Sequence, residues 1–407
     1  MVSFELVIDI QGIDNCIERA IISSPNEVIQ MDSDIQIYRK LQQHLDRMPI
    51  GFPATDSGVE IRILKHLFVP EEARLATHLS MIPEPLKRIY KRVRGTGISI
   101  TELEQALDHL VEKGCIFGSK KDGEKLYSNA MLAIGMFEFQ VERLTEEFVK
   151  DMWQYTDEAF GQELYRTKIP QLRTIPVEKS IPLPDKYAVD TYDNIRQIVE
   201  NFEGQIAVAN CICRQAKDIM GESCTKTDLR ESCIIVIEAE YYINLGLGRP
   251  ASKDEVMGIL DKAQEAGLVI QPENTQKPEF ICCCCGDCCG ILTTVKKYPR
   301  PRELYATNYH SKVNEELCNG CETCVDGCQL EAIKIIDGIA VVDLNRCIGC
   351  GNCAANCPAN AIELERNEKQ SKPPKNTESL YVNILSNKIG KWNTLKIGIK
   401  NRLGLKV

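Results

Sequence analysis

The hydrophobic positions between residues 51 and 129 follow a helical period and then an extended one. Thr101 and Glu104 form a capping-box pattern and Gly114 is a suitable stop, so we predict a helix between them. Its apolar face consists of Leu103, Ala106, Leu107, Leu110 and Val111. Two extended stretches then flank Lys121-Asp122-Gly123, a pattern typical of a β-hairpin.

This succession of helical stretches and a hairpin resembles a winged helix. Ahead of it, residues 1–50 show a short apolar run at 4–10 and a predicted helix at 34–48. After it, residues 130–200 predict a helix around 137–148 and then a connector. The connector is interrupted by Pro170, Pro176, Pro182 and Pro184.

A second block spans residues 201–300. Residues 206–209 are apolar and predict a strand, and a helix is predicted to begin at Ser252 with Glu255 three residues on. The basic, proline-containing sequence that follows predicts a domain boundary near residues 300–308.

The C-terminal residues 368–407 predict a flexible joint at 371–379 and then a basic amphipathic tail. One helical face of the tail carries Ile389, Trp392, Leu395, Ile399 and Leu403. The tail lacks acidic residues, and its basic residues are Lys388, Lys391, Lys396, Lys400, Arg402 and Lys406. We expect it to contact a membrane surface or an acidic redox partner, or else to pack on the chain's own domains.

Composition changes this picture chiefly through cysteine. With 407 residues the chain is long enough for two to four domains, and 20 of its residues are cysteines. The opening residues contain Glu5 and Asp9 and lack a basic region and a long apolar core, so we expect a cytoplasmic protein. Clustered cysteines in that reducing compartment favour metal sites over disulfides. No apolar run is long enough for a membrane span, and the net charge of −9 argues against general coating of nucleic acid.

Residues 309–367 contain the pattern CxxCxxCxxxC twice. Its members are Cys318, Cys321, Cys324 and Cys328, followed by Cys347, Cys350, Cys353 and Cys357. Three thiolates at this spacing wrap one 4Fe-4S cubane and leave its fourth iron for a ligand from elsewhere. Matching segments, 332–335 and 361–364, follow the two motifs, and Asp337-Gly338 predicts a tight turn between them. The alternative is two zinc sites, each of which also needs four ligands.

This doubled motif resembles the bacterial-type dicluster ferredoxins, over about a seventh of the chain. The resemblance implies that the fourth cysteine of each motif binds the other cluster. One cluster is then held by Cys318, Cys321, Cys324 and Cys357, and the other by Cys347, Cys350, Cys353 and Cys328. The sequence departs from the repeat at Gln329, which stands where the second motif has Pro358.

The middle block holds a second group of cysteines, at Cys211, Cys213, Cys224, Cys233, Cys282, Cys283, Cys284, Cys285, Cys288 and Cys289. No apolar core requires this density, so we predict a further cofactor, either an iron–sulfur cluster or zinc. Buried or regulatory thiols are the remaining alternative. If residues 206–209 continue as a strand, Cys211 and Cys213 share one face. Isolated Cys16 and Cys115 are predicted to be buried thiols.

The module order resembles multidomain ferredoxin proteins of anaerobes. We therefore expect an α+β, multidomain chain with a winged-helix-like N-terminal domain, a cysteine-rich α/β middle domain and a C-terminal ferredoxin-like (βαβ)2 dicluster domain. Three functions stay open. They are a non-catalytic electron-transfer subunit for a partner oxidoreductase, an iron–sulfur-dependent transcription regulator, and an oxidoreductase with a catalytic cluster in the middle domain.

DNA binding by the N-terminal domain is opposed by charge. Residues 101–113 would form the recognition helix, with Lys120, Lys121 and Lys125 on the wing. That helix carries Glu102, Glu104, Asp108 and Glu112, which would repel phosphates. A protein-docking or structural role is therefore favoured over nucleic-acid binding.

Overall fold

The computed structural model describes residues 25–181 and 191–407, with side chains for 34–181 and 192–407. The predicted apolar run at 4–10, Cys16, Pro182 and Pro184 lie outside these residues. The described chain combines helices and sheets in an α+β arrangement. None of its described helices has the length and apolar character that crossing a bilayer requires.

The N-terminal part packs helices against a small antiparallel sheet with strand order β1-β3-β2. Its elements are α1 (Pro25–Leu45), α2 (Val59–Leu67), α3 (Pro70–Ala76), β1 (Glu84–Pro85), α4 (Leu86–Val93), α5 (Ile100–Glu112), β2 (Ile116–Lys121) and β3 (Glu124–Asn129). The predicted hairpin is present as β2 and β3. The capping box of α5 consists of Ser99 and Glu102 rather than Thr101 and Glu104, because Ser99 is the last residue with extended backbone and its hydroxyl accepts from the Glu102 amide.

The helix predicted around residues 137–148 is wrong. Glu142 has a left-handed φ of 65°, and its amide donates to the Gln215 side chain at 2.8 Å, so a tertiary contact interrupts the helical period. The next helix begins after Thr145, whose hydroxyl caps the Phe148 amide. The elements of this connector are α6 (Glu146–Tyr155), α7 (Gly161–Arg166), β4 (Leu172–Arg173) and α8 (Ile195–Glu200).

The middle part is built on a five-stranded antiparallel sheet with strand order β7-β5-β6-β9-β8. Its elements are β5 (Ile206–Asn210), α9 (Ile212–Ile219), β6 (Glu231–Ile235), α10 (Ala239–Asn244), β7 (Arg249–Ala251), α11 (Lys253–Glu265), β8 (Val269–Pro272), β9 (Phe280–Cys284) and α12 (Gly290–Lys296). The strand predicted at 206–209 and the helix beginning after Ser252 are both present.

The ferredoxin-type part pairs its first and last long strands. Its elements are β10 (Tyr305–Ala306), β11 (Tyr309–Val313), α13 (Thr323–Asp326), β12 (Ile333–Ile336), β13 (Ile339–Val342), α14 (Asn352–Ala355) and β14 (Ile362–Arg366). Strand β11 pairs with β14 and β12 with β13, both antiparallel. Asp337 and Gly338 make the predicted turn with φ angles of 51° and 80°.

The C-terminal tail forms α15 (Thr377–Ile389) and α16 (Lys391–Arg402). Helix α15 buries Leu380, Ile384 and Leu385. The segment before it is anchored rather than free, because Gln276 donates to the carbonyl oxygens of Pro373 and Pro374 at 2.9 and 2.8 Å.

Buried contacts join these parts to one another. One apolar cluster contains residues of the N-terminal part, the connector, the middle sheet and α15. A buried ion pair between Arg173 and Asp193 also receives a hydrogen bond from Asn308 at 2.7 Å. Residues of the connector thus fix the ferredoxin-type part to the rest of the chain.

Candidate metal centres

The eight cysteines of the doubled motif line two separate cavities. The first is lined by Cys328, Cys347, Cys350 and Cys353, and the second by Cys318, Cys321, Cys324 and Cys357. Each cavity therefore combines three thiols of one motif with the last thiol of the other. This crossing arises because β11 pairs with β14 and β12 with β13, which folds the two motifs around each other.

Backbone amides point at the sulfurs in both cavities. The Ala332 amide lies 3.2 Å from Cys328 Sγ, and the Ala361 amide lies 3.3 Å from Cys357 Sγ. These two contacts occupy matching positions in the two repeats. The Ser311 hydroxyl lies 3.1 Å from Cys353 Sγ. Such donors stabilise thiolate sulfur, which is the form that binds iron.

The two cavities differ in their exposure. Cys321 in the second cavity is exposed, and hydrogen bonds from Thr323 lower the pKa of its thiol. In the first cavity burial raises the pKa of Cys353 to about 12 and that of Cys350 well above its usual range. The second cavity therefore lies nearer to the surface, and the first lies deeper in the chain.

Gln329 links the deeper cavity to the middle part. Its Oε1 accepts from the Gly286 amide at 2.7 Å, and its Nε2 donates to the Gly267 carbonyl at 2.9 Å. Asn352, which lines the same cavity, donates to that carbonyl at 2.6 Å. Gln329, the residue at which the first motif departs from the repeat, thus forms a contact between two cysteine-rich regions.

The middle cysteines divide into two groups because β9 alternates its side chains. Cys284 packs with Leu292 and Tyr305, whereas Cys283 and Cys285 pack in the apolar cluster behind the sheet. Cys282 lies on the Cys284 face, opposite Cys233 of β6. Thiols from β5–α9, β6, β9 and the start of α12 therefore converge on one face.

We call this convergent set the six-thiol group, and it consists of Cys211, Cys213, Cys233, Cys282, Cys284 and Cys289. Each thiol of the group contacts a neighbouring thiol of the group. A hydrogen bond with Cys233, together with burial, raises the pKa of the Cys282 thiol. Cys213 contacts both Cys211 and Cys289. The prediction that Cys211 and Cys213 share a strand face is wrong, since β5 ends at Asn210 and Cys211 precedes α9.

Arg214 is buried between the two groups of thiols, with 1% of its surface exposed. Its guanidinium donates to Ser232, to the Cys283 and Leu229 carbonyls and, at 3.7 Å, to Cys285 Sγ. Among the described residues it forms no ion pair with a carboxylate, and its Nε has no partner. Burial lowers the pKa of the Arg214 guanidinium, but the nearby thiols Cys211, Cys285 and Cys284 raise it by more. The net effect is a raised pKa. Because a buried guanidinium stays charged, ionised thiols are its natural counter-charge.

The second middle group, which we call the Cys224 site, contains Cys224, Cys285, Asp287 and Cys288. One sulfur or oxygen atom from each residue lies within 4.8 Å of all the others. Cys224 comes from the loop after α9, and the other three residues follow β9 directly. Two described cysteines outside the doubled motif belong to neither group: Cys283 faces the apolar cluster, and Cys115 is buried, with its thiol 2.9 Å from the Leu67 carbonyl.

Tyr305 is a polar neighbour of the six-thiol group that the sequence did not suggest. Its side chain is 4% exposed and packs in one cluster with Cys284 and Cys289. Burial and the nearby Cys289, Cys284 and Cys282 raise the pKa of its hydroxyl well above the usual range. That hydroxyl has no hydrogen-bond partner among the residues described. A cofactor with sulfur acceptors would satisfy it.

Comparison with known proteins agrees with the C-terminal chemistry. Residues 340–363 match the family model of the 4Fe-4S binding domain. The chain therefore contains a ferredoxin-type iron–sulfur module near its C-terminus, with at least one 4Fe-4S cluster. The matched segment includes Cys347, Cys350, Cys353 and Cys357. No curated protein and no solved structure gave a match to the chain.

Proposed function

We propose that the protein is an electron carrier that relays low-potential electrons to or from a partner oxidoreductase through two 4Fe-4S clusters. Cys318, Cys321, Cys324 and Cys357 would hold one cluster, and Cys347, Cys350, Cys353 and Cys328 the other. The observation that carries the proposal is the crossed grouping of the eight thiols into two cavities. Zinc sites built from these residues would not require each motif to donate its last cysteine to the other.

A 4Fe-4S cluster exchanges one electron at a time, at a potential set by charge, hydrogen bonds to sulfur and exposure. The hydrogen bonds to sulfur come from the Ala332 and Ala361 amides and the Ser311 hydroxyl. The cavity with exposed Cys321 faces solvent and suits electron exchange with a partner. The deeper cavity faces the middle part through Gln329.

The six-thiol group supports a third iron–sulfur cluster in the middle part. Its thiols lie close to one another, and within the described part of the chain Arg214 has no carboxylate partner and the Tyr305 hydroxyl has no hydrogen-bond partner. All three features suit a buried anionic cofactor. A cluster there makes the middle part the inner end of the relay, and it would be the reaction centre if the protein is instead an oxidoreductase.

The N-terminal part suits docking better than DNA reading. We propose that it is a winged-helix-like unit, which its strand order and the pair of helices before its hairpin support. The wing residue Lys125 pairs with Glu104 and Asp108 of α5 at 3.0 and 2.7 Å, so its charge is already neutralised. Phe117 of β2 packs on Tyr241 of the middle part, with ring centroids 5.4 Å apart. We infer that the unit is a scaffold for the redox domains rather than the output of a transcription regulator.

We infer that α16 docks the protein on an anionic membrane surface. Its apolar face is exposed, with Trp392 78% and Leu403 70% accessible, although Lys388 and Val407 at either end of the tail bind the body of the chain. Around this face lie Lys391, Lys396, Lys400 and Arg402. An exposed apolar stripe with a wholly cationic rim matches the charge of an anionic bilayer.

The test is anaerobic purification followed by iron and acid-labile sulfide analysis and EPR of the reduced protein. The relay predicts about eight irons and eight sulfides per chain for the ferredoxin-type module, and about twelve or more if the six-thiol group holds a cluster. Magnetically interacting S = 1/2 signals are expected from two neighbouring reduced clusters. Iron well below eight per chain, with zinc in place of the two clusters of the doubled motif, would overturn the proposal.

A further inference from the structure

We propose that the Cys224 site binds a single thiophilic divalent ion of the zinc class, separate from every iron–sulfur cluster of the chain. The ligands would be the thiolates of Cys224, Cys285 and Cys288 and a carboxylate oxygen of Asp287. None of the cluster thiols proposed above takes part in this site.

The spacing of the ligands in the sequence suits one small ion. Cys285 and Cys288 enclose Gly286 and Asp287, which is the CxxC knuckle typical of structural zinc sites. Cys224 approaches from a loop 61 residues away in sequence. Gly286 allows Gln329 to approach this knuckle closely, because a Cβ at position 286 would lie 2.3 Å from the Gln329 carbonyl oxygen.

The distances favour a mononuclear ion over a cubane. Cys224 Sγ lies 3.6 Å from Cys285 Sγ and 3.8 Å from each carboxylate oxygen of Asp287. Tetrahedral coordination with Zn–S bonds of about 2.3 Å places two sulfurs about 3.8 Å apart. In a cubane each thiolate binds a different iron, so its thiolates lie farther apart than four atoms that share one ion.

Asp287 is held in the orientation that a fourth ligand needs. Its Oδ2 accepts from the Thr225 amide and hydroxyl at 3.0 and 2.9 Å. With these bonds in place, both carboxylate oxygens lie 3.8 Å from Cys224 Sγ. Such hydrogen bonds from neighbouring residues orient ligands around metals.

Charge balance also supports the site. Three thiolates and one carboxylate around a divalent ion leave a formal charge of about −2. Arg214, whose guanidinium lies 3.7 Å from Cys285 Sγ, offsets part of it. The same guanidinium also interacts electrostatically with Cys211 and Cys284 of the six-thiol group, so one buried cation lies between that group and the Cys224 site.

A metal ion at this site would have a structural role. It ties the loop that follows α9 to the turn that follows β9, and that turn carries Gly286, which Gln329 of the ferredoxin-type part contacts. A bound ion would therefore fix the position of the turn between the six-thiol group and the deeper cavity.

The experiment measures zinc, iron and sulfide per chain on anaerobically purified full-length protein, for the unmodified chain and for Cys224→Ser, Asp287→Asn and Cys283→Ala. We expect about one zinc in the unmodified protein. Cys224→Ser should lose it while iron and sulfide stay unchanged. Asp287→Asn, which preserves shape, should weaken zinc retention against a chelator by roughly 10- to 100-fold, as expected for the loss of one charged oxygen ligand. Cys283→Ala, which changes a neighbouring thiol that faces the apolar cluster, should keep the zinc.

Replacement of zinc by Co²⁺ gives a second readout that does not depend on variants. Thiolate coordination predicts sulfur-to-cobalt charge-transfer absorption and strong tetrahedral d–d bands, which Asp287→Asn should shift. The proposal is overturned if the unmodified protein neither contains zinc nor binds added Zn²⁺ or Co²⁺ at one ion per chain. It is also overturned if Cys224→Ser loses iron and sulfide together, because its thiol then belongs to a cluster.

Discussion

Gln329 Oε1 accepts a hydrogen bond of 2.7 Å from the backbone amide of Gly286. The contact joins the residue after Cys328, which lines the deeper cavity, to the residue after Cys285, which belongs to the Cys224 site. Gln329 is 6% exposed, so both of its amide atoms make hydrogen bonds that water cannot easily replace. The relative position of these two cysteine-rich regions therefore depends in part on the Gln329 side chain.

Replacing Gln329 with alanine should loosen this contact. The buried Gly286 amide loses its partner, at a cost of about 1–3 kcal/mol, whereas the Gly267 carbonyl keeps the hydrogen bond from Asn352. Amide hydrogen exchange at Gly286 should then accelerate by about 5- to 150-fold, the equivalent of that energy. Pro358→Ala is the matched control, since it changes the corresponding, exposed position of the second repeat. Equal exchange rates in both variants would show that the contact does not hold the turn.

The crossed grouping of thiols makes a specific prediction for the last cysteine of each motif. Cys328→Ala should lose the same EPR signal as Cys350→Ala, because both line the deeper cavity. Cys357→Ala should instead match Cys318→Ala, which lines the outer one. Each variant is expected to lose about four irons, while Cys115→Ala should lose none. Loss of the same EPR signal in Cys328→Ala and Cys318→Ala would contradict the assignment.

Removing the buried charge of Arg214 should affect the six-thiol group. Arg214→Met removes a positive charge beside ionised sulfur, so the added electron of a cluster there is less stabilised and its reduction potential should fall. Arg214→Lys retains the charge and should restore most of the potential, though not the hydrogen bonds to Ser232 and the Cys283 carbonyl. A redox titration followed by EPR measures both. Identical potentials in the two variants would place the cofactor elsewhere.

The raised pKa of Glu273 predicts that the stability of the fold depends on pH. Burial and the charge of Glu279 raise its pKa to about 7, whereas an unfolded glutamate titrates near 4.3. Between these values the folded chain holds the proton and the unfolded chain does not, so stability should fall as pH rises from about 4.5 to about 7. Glu273→Gln should remove this component, on the order of 1–3 kcal/mol.

We would therefore compare anaerobic thermal unfolding of Glu273→Gln and the unmodified protein at pH 5.5 and 8. The variant should gain more stability relative to the unmodified chain at pH 8 than at pH 5.5, because only part of the cost has developed at the lower pH. The exposed Glu265→Gln serves as the control. The same gain at both pH values would show that packing, and not the proton, accounts for the difference.

The tail predicts salt-sensitive binding to anionic vesicles. Trp392→Ser and Leu395→Gln remove exposed apolar side chains and should each reduce co-sedimentation with phosphatidylserine-containing vesicles by about 5- to 30-fold. Asn393→Ala, on the same helix, should bind normally. In a Trp153→Phe background the remaining Trp392 fluorescence should shift to the blue on binding. Binding to an acidic protein but to no vesicle would replace the membrane with a protein partner.

The sequence by itself identified the features that depend on neighbours in the chain. The doubled cysteine motif specified a 4Fe-4S segment, the apolar run at 206–209 specified β5, and Asp337-Gly338 specified the turn between β12 and β13. Local spacing and turn conformation suffice for such elements. The same reasoning failed around residues 137–148, where the bond between the Glu142 amide and Gln215 interrupts a helical pattern.

Only the tertiary structure sorted nine of the ten middle cysteines into the six-thiol group and the Cys224 site and placed the tenth, Cys283, in the apolar cluster. The sorting depends on the register of β6 against β9 and on the two faces of β9, which place Cys233 opposite Cys282 and turn Cys285 away from Cys284. It also depends on the loop that brings Cys224 to within 3.6 Å of Cys285. Strand register and loop closure join residues far apart in sequence, and no local pattern encodes which thiols will meet.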